Sequence, residues 1–269
     1  MTRARSLTLV KAHAYGNDFL LVDAGRLDPA IDRADLARRV CDRHRAIGAD
    51  GLIVVVPTAQ GADTDLHNAD GSPSEVSGNG TRCVAAWLAS VRGLGRGATL
   101  EIRSGAGAHP LALMDAAGAR YTFRAGMGAP SDLREARLHV AGQTVSAVVM
   151  RVGNPQCVVL GPVTEERLRS IAAGLAVHPF FPAGTNVELA SVEAPDRVRI
   201  LIWERGVGPT EASGTGACAA AVAAAAYGGA DRSVEVVAPG GSQRVEWAAD
   251  QIWWTGWAEV VGTVDWRME

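Results

Sequence analysis

The sequence predicts an α+β protein built as two pseudo-symmetric, strand-rich lobes, and three observations carry that reading. First, landmarks recur at almost one offset. Ser77 and Ser213 sit in matching Ser-Gly-x-Gly turns 136 residues apart, and Asn68 and Glu204 each stand nine residues before their serine. Asp50 precedes Asn186 by the same 136 residues, and Gly16-Asn17-Asp18 precedes Gly153-Asn154-Pro155 by 137. Any single match is weak, because Gly-Asn and Ser-Gly pairs are common in turns. Four in register point to an internal duplication of about half the chain, with a period far too long for a solenoid. Second, each Ser-Gly-x-Gly turn runs into an apolar segment, residues 83–90 and 219–226, that reads as a buried helix. Third, most of the remainder is short apolar or alternating runs broken by turn residues, the pattern of strands.

Taken in order, residues 6–22 read as a strand, the Ala14-Tyr-Gly-Asn-Asp18 turn and a second strand. Residues 32–45 fit a helix with Leu36, Val40 and Cys41 on one face, and residues 52–56 a buried strand after the Gly48-Ala-Asp-Gly51 turn. A strand-like segment then ends at Asn68, and the helix opens at Ser77-Gly78-Asn79-Gly80. Strands are expected at residues 98–104, 110–114 and 121–124, and Gly105-Ala-Gly107 is expected to be a plain loop rather than a nucleotide cradle. The first lobe hands over near residues 126–130, giving lobes of residues 1–124 and 125–261, with the tail 262–269 returning to the first. The second lobe shows two strands within 138–152, another at 157–160, an amphipathic helix at 164–175, and strands at 185–190 and 198–203. The alanine-rich helix follows Ser213. Residues 233–264 read as strands and turns, with Trp247, Trp253, Trp254 and Trp257 as sheet packing.

Composition excludes several classes. The 269 residues are 48% hydrophobic and 20% charged, ample for a packed core, with a net charge of −3 and no basic stripe. Nucleic-acid binding has no support in that balance. No apolar run is long enough to span a membrane, and the start, residues 1–10, does not form a signal peptide. The four cysteines are scattered and the six histidines show no ligand spacing, so a reduced, cytoplasmic chain without a metal is expected.

A Ser-Gly-x-Gly turn at a helix start offers unpaired backbone N–H groups at the positive end of the helix dipole, an anion site that glycine leaves open to close approach. Either serine alone is an ordinary N-cap. The matched pair suggests more: one carboxylate held between two sets of donors, with a hydroxyl on each side of the carbon that bears it. That is two-base isomerase geometry, with held donors stabilising the enediolate-like charge. The neighbouring Asn17, Asn68, Asn79, Asn154 and Asn186, with Glu204 and Arg205, suit a small zwitterionic substrate, and Arg205 could clamp a distal carboxylate through paired donors.

These residues resemble the diaminopimelate epimerase family. The matching motifs are Gly16-Asn-Asp-Phe19, Asn68-Ala-Asp-Gly-Ser72, Gly78-Asn-Gly80, Gly153-Asn-Pro155, Asn186, Glu204-Arg-Gly206 and Gly214-Thr-Gly-Ala-Cys-Ala219, in order and at family-like spacing. The resemblance implies lobes that are each a barrel around a central helix, with the active site in the cleft between them. It implies a cofactor-independent epimerase of an amino acid, most of all diaminopimelate, and a homodimer. Asn17, Asn68, Asn154, Asn186 and Arg205 would bind substrate, and the N–H groups around Gly78, Asn79, Gly214 and Thr215 would hold its α-carboxylate. The chain departs from the family at the chemistry. Both family catalytic cysteines are serines here, Ser77 and Ser213, the histidine after Gly-Asn-Pro is Gln156, and the glutamine after Asp50 is Gly51. Cys83 and Cys218 match other, buried family positions. Three readings of the double replacement stand: serines acting as bases, an engineered inactivation, or a lineage that changed or lost the reaction. The competing functions are another isomerase of a small carboxylate on the same fold and a non-catalytic binding homologue. A serine hydroxyl is a much weaker acid than a thiol, whose reference pKa is near ~8.5, so slower proton abstraction is expected unless Glu204 or a water compensates.

Overall fold

The computed structural model describes residues 6–74, 77–105, 107–249 and 251–267. Outside them lie parts of five sequence readings: the first five residues, Glu75 and Val76 ahead of Ser77, Ala106 of the Gly105–Gly107 loop, Asp250 within the 233–264 strands and turns, and the last two residues of the returning tail. The chain divides into two compact units, Met1–Arg124 with Trp257–Glu269, and Ala125–Gly256.

Unit 1 contains strands β1 (Ser6–Ala14), β2 (Asn17–Asp23), β3 (Gly51–Pro57), β4 (Gly61–Asn68), β5 (Pro73–Ser74), β6 (Thr99–Ser104), β7 (Gly107–Ala117) and β8 (Arg120–Gly126), the last running two residues into unit 2, and helices α1 (Arg33–Val40) and α2 (Gly78–Arg92). Unit 2 contains β9 (Ser131–Val140), β10 (Gln143–Val152), β11 (Asn154–Leu160), β12 (Asn186–Ala194), β13 (Arg197–Glu204), β14 (Gly208–Thr210), β15 (Ser233–Ala238) and β16 (Gly241–Trp247), with α3 (Glu165–Ala176) and α4 (Gly214–Tyr227). The last strand, β17 (Ile252–Arg267), leaves unit 2 and returns to unit 1.

The duplication read from the offsets is visible in the ladders. In unit 1, β1 runs antiparallel to β2, β2 parallel to β3 (Leu20↔Leu52), β3 antiparallel to β4 (Ile53↔Leu66) and β4 parallel to β6 (Ala62↔Ile102). In unit 2 the same sequence of senses joins β10 to β11, β11 to β12 (Val158↔Glu188), β12 to β13 (Glu188↔Ile202) and β13 to β15 (Val198↔Val236). Strands β1–β4, β6–β8 and β17 close into an eight-stranded barrel. Each long helix packs on the inner face of its own unit's strands: α2 against β1, β2, β4, β6 and β7, and α4 against β10–β13, β15 and β16.

Why these helices are central follows from their composition. A helix apolar on all sides must be enclosed. In α4 every residue from Gly216 to Ala224 is buried, and alanine lets the strands approach from all directions. The shorter helices are amphipathic and cover the outer faces. Leu36, Ala37 and Val40 of α1 pack on Leu7, Leu9, Leu20 and Leu52, while Leu168, Ile171, Ala172 and Leu175 of α3 pack on Val145, Val149, Val159 and Leu189. With both faces covered, β2 and β3 read as unbroken apolar runs rather than alternating ones.

One expected boundary moves. The helix read at residues 32–45 ends at Val40, because Asp42 Oδ1 accepts the His44 and Arg45 N–H groups and turns the chain. The turn before β2 is tight: Ala14 pairs with Asn17, and Tyr15 and Gly16 take φ of 55° and 89°, as in a two-residue type I′ hairpin. Tyr15 is held in that unfavourable region by packing against the Trp257 ring at 4.4 Å and by accepting the Trp257 N–H.

Behind this turn lies a charged network. Arg43 donates to both carboxyl oxygens of Asp18, at 2.6 and 3.1 Å, and to Asp50 at 2.8 Å, while Lys11 pairs with Asp18 at 2.5 Å. Burial alone would raise the Asp18 carboxyl, but the Arg43 and Lys11 contacts outweigh it and hold the group down at about 2. The depressed value means the network stabilises the fold above the ordinary carboxylate range and is lost as pH falls toward 2. Asp18→Asn is therefore expected to cost roughly 1–2 kcal/mol at neutral pH and much less near pH 2, read by denaturant melts at the two pH values. A second test addresses the parallel β4–β6 contact. A Cβ on Gly61 would lie 1.9 Å from the Glu101 carbonyl oxygen, a backbone atom that cannot yield. Gly61→Ala is expected to destabilise unit 1 by at least about 2 kcal/mol in the same melts.

Candidate functional site

The two Ser-Gly-x-Gly turns form equivalent corners. Ser77 is the N-cap of α2, its Oγ accepting the Gly80 N–H at 3.0 Å, and Ser213 is the N-cap of α4, accepting the Gly216 N–H at 3.2 Å. Their carbonyls accept from Thr81 and Ala217, so the N–H groups of Gly78 and Asn79 in α2, and of Gly214 and Thr215 in α4, are the first-turn donors without an intrahelical acceptor. Each corner needs its second glycine. A Cβ on Gly80 would meet Ile53 at 2.9 Å, and one on Gly216 would meet Glu188 at 2.6 Å. Gly78 faces open space, whereas Gly214 lies against Trp254, whose indole N–H donates to Gln243 at 2.7 Å.

At the α2 corner the structure brings Asn17 and Asn79 together and fixes both amides. Buried Arg82 donates to Asn79 Oδ1, Asn79 Nδ2 donates to Asn17 Oδ1 at 3.1 Å, and Asn17 Nδ2 donates to Asp50 at 2.7 Å. A guanidinium at one end and a carboxylate at the other leave only one orientation for each amide. Asn68, at the end of β4, is exposed and donates to Ser72 Oγ at 3.0 Å. Within unit 1, the small cavity beside Ser77 is lined by side chains that do not titrate, among them Ile53, Thr64, Leu66 and Val84. Cys83 is no substitute: it is fully buried, which pushes its thiol up to about 12.

At the α4 corner Asn186 is buried and its Oδ1 accepts the Arg205 N–H at 2.9 Å. The Arg205 guanidinium is exposed and donates to the Ala183 carbonyl at 2.6 Å. Gln156, fully buried, donates to Asn154 Oδ1 at 2.5 Å. Ser213 has a base at hand. Burial raises the Glu204 carboxyl above its ordinary range, and the Ser213 and Thr210 hydroxyls beside it draw it part of the way back, while Ser213 Oγ also lies 3.4 Å from Thr215 Oγ1. The two corners thus share backbone geometry and differ in chemistry.

Sequence reading missed three participants. Arg82 was hidden inside an apolar helix, and Arg43 acts through Asp50 from a turn. Glu188 interrupts the apolar run Val187–Ala190, and that interruption was the available signal. Among the described residues no group of three or more His, Cys, Asp or Glu could hold a metal ion, and no helix is long and apolar enough to cross a membrane.

Known proteins match this chain along its length. The family model described as diaminopimelate epimerase matches residues 9–131 and 148–261. Diaminopimelate epimerase of Desulforudis audaxviator is 41% identical over 97% of this chain and 99% of its own, and that of Heliobacterium modesticaldum is 38% identical over 93% and 96%. Among solved structures, a phenazine biosynthesis protein of the PhzF family from Bacillus anthracis superposes with a TM-score of 0.70 at 16% identity, covering 98% of this chain and all of that one. A hydroxyproline epimerase from Agrobacterium vitis superposes with a TM-score of 0.68 at 15% identity, covering 100% of this chain and 94% of that one. At such identities the superpositions speak to the fold alone. The sequence matches go further: this chain belongs to the diaminopimelate epimerase family.

Proposed function

We propose that the chain is a cofactor-independent epimerase that interconverts L,L- and meso-diaminopimelate by two-base transfer of the α-proton, with Ser77 and Ser213 at the base positions. The observation that carries this reading is the Ser213 corner, where the hydroxyl oxygen accepts the Gly216 N–H and the half-buried Glu204 carboxyl lies close enough for the hydroxyl to lower its proton affinity. As a carboxylate whose proton affinity is raised by burial, Glu204 can take the Ser213 proton as Ser213 takes the α-proton. The first-turn N–H groups at Gly78, Asn79, Gly214 and Thr215 are the proposed ligands of the α-carboxylate, and they oppose the charge that builds on it as the carbon is deprotonated. Asn17, Asn68, Asn154 and Asn186 are proposed to bind the substrate's polar groups, and Arg205 the distal carboxylate. The names of the relatives supply the substrate. Supply of lysine and cell-wall precursors, a cytoplasmic location and a homodimer complete the proposal.

The serine pair sets the expected rate. A hydroxyl needs an activating base, and among the described residues the lining of the cavity beside Ser77 supplies no titratable side chain, so abstraction by Ser77 is the expected limit on turnover. Incubation in heavy water with L,L-diaminopimelate and a panel of other amino acids is expected to place deuterium at the α-carbon of diaminopimelate with inversion. Binding without exchange would make the chain a non-catalytic homologue, and exchange confined to another acid would move it to a different substrate. Ser77→Cys is expected to raise kcat by about tenfold or more, and Ser213→Cys by less, because Ser213 already has Glu204.

A further inference from the structure

The α4 corner holds a second acid that the proposed reaction does not use. Glu188 lies within β12, fully buried, and among the described residues neither of its carboxyl oxygens has a hydrogen-bond partner. It underlies the first turn of α4, since a Cβ on Gly216 would lie 2.6 Å from Glu188 Oε1. The place in unit 1 that the ladders make equivalent, one residue off the 136-residue offset, shows what packing alone requires. There Ile53 lies beneath Gly80 of α2 and pairs across the ladder with Leu66, as Glu188 pairs with Ile202. An apolar side chain fills that place, so the acid at 188 is not demanded by the fold.

Its surroundings decide its charge. Glu204 lies two residues beyond Ile202 on β13, hence on the same face as Glu188. The nearest thiol on β11, Cys157, pairs with Val187 and packs in the cluster under α3, on the other face of the sheet. Among the described residues Glu188 accepts no bond from a Lys or Arg, and the charge that acts on it is that of Glu204. Two neighbouring carboxyls in an apolar interior do not both ionise. The negative charge belongs on Glu204, which is only partly buried and has the Ser213 and Thr210 hydroxyls beside it, and burial together with the Glu204 charge pushes Glu188 well above the ordinary carboxyl range.

We propose that Glu188 is a positioning residue that stays protonated behind the first turn of α4, leaving the Gly214 and Thr215 N–H groups able to hold a substrate carboxylate. Once ionised, it places a negative charge behind those donors and repels the carboxylate. The inference rests on the proposed role of the α4 corner in binding the α-carboxylate.

Infrared spectra of the full chain, with Glu188→Gln as the difference reference, are expected to show a neutral carboxylic-acid band at neutral pH that vanishes in the variant. In the wild type, KM for diaminopimelate is expected to climb in alkaline solution, approaching about tenfold per pH unit beyond the ionisation, while kcat changes less. Glu188→Gln should flatten that rise. Glu188→Ile, which copies the unit 1 position, serves as the second variant and should do the same. Thermal stability gives a readout independent of activity. The folded chain keeps a proton that the unfolded chain releases, so wild-type stability falls as pH rises above the ordinary carboxylate range, and both variants lose that part of the slope. A missing acid band at neutral pH, or an unchanged KM rise in both variants, overturns the proposal. If neither wild type nor variant turns over diaminopimelate, the proposed function fails, and the band and the thermal slope still decide the protonation of Glu188.

Discussion

The structure depends on what a serine does at the start of a buried helix. By accepting the N–H three residues ahead, Ser77 and Ser213 each end an extended segment and begin a helix enclosed by its own strands. The bond satisfies one of the orphan donors and leaves the first two N–H groups of α2 and α4 aimed outward, with the helix dipole behind them. The same oxygen carries the proton that the chemistry needs. Structural cap and proposed base are therefore one atom, and replacing it alters both the helix start and the reaction.

The surrounding structure keeps those donors in place. At the α2 corner, a line of hydrogen bonds from Arg82 through Asn79 and Asn17 to Asp50, anchored by Arg43, fixes the amides that flank the helix start. At the α4 corner the support is Trp254 against Gly214, with Gln243 holding the indole, and Glu188 against Gly216. Unit 1 uses apolar Ile53 where unit 2 uses Glu188, and Asn68 at the offset position of Glu204. A duplicated frame has thus acquired acid chemistry on one side only.

Much of this was legible in the sequence. The offset landmarks survive because glycines with positive φ, caps and strand-end residues are fixed by backbone geometry, which duplication preserves: Gly16 and Gly153 both adopt left-handed φ, 89° and 73°. The apolar helices and the parallel strands were legible because burial on all sides erases polar periodicity. What was hidden depended on specific side-chain contacts, some local and some distant in sequence, that periodicity does not carry. The end of α1 at Val40 is set by Asp42 capping a turn, which helical periodicity does not register. Strand β4 alternates too weakly to be bounded from its polar sequence, and it becomes a strand through its pairing with β3 and β6. Arg82, just ahead of the apolar segment read at residues 83–90, acquires its role only through Asn79 and the Tyr15 ring.

The central claim is that two capping hydroxyls each serve one face of a single substrate carbon. Its most direct test is α-hydrogen exchange in heavy water for Ser77→Ala and Ser213→Ala, each supplied separately with L,L- and meso-diaminopimelate. The account predicts that both variants lose epimerisation, and that each retains solvent exchange with only one stereoisomer, the opposite one in the two variants. Epimerisation at the wild-type rate by either variant, or exchange of the same stereoisomer by both, would contradict it.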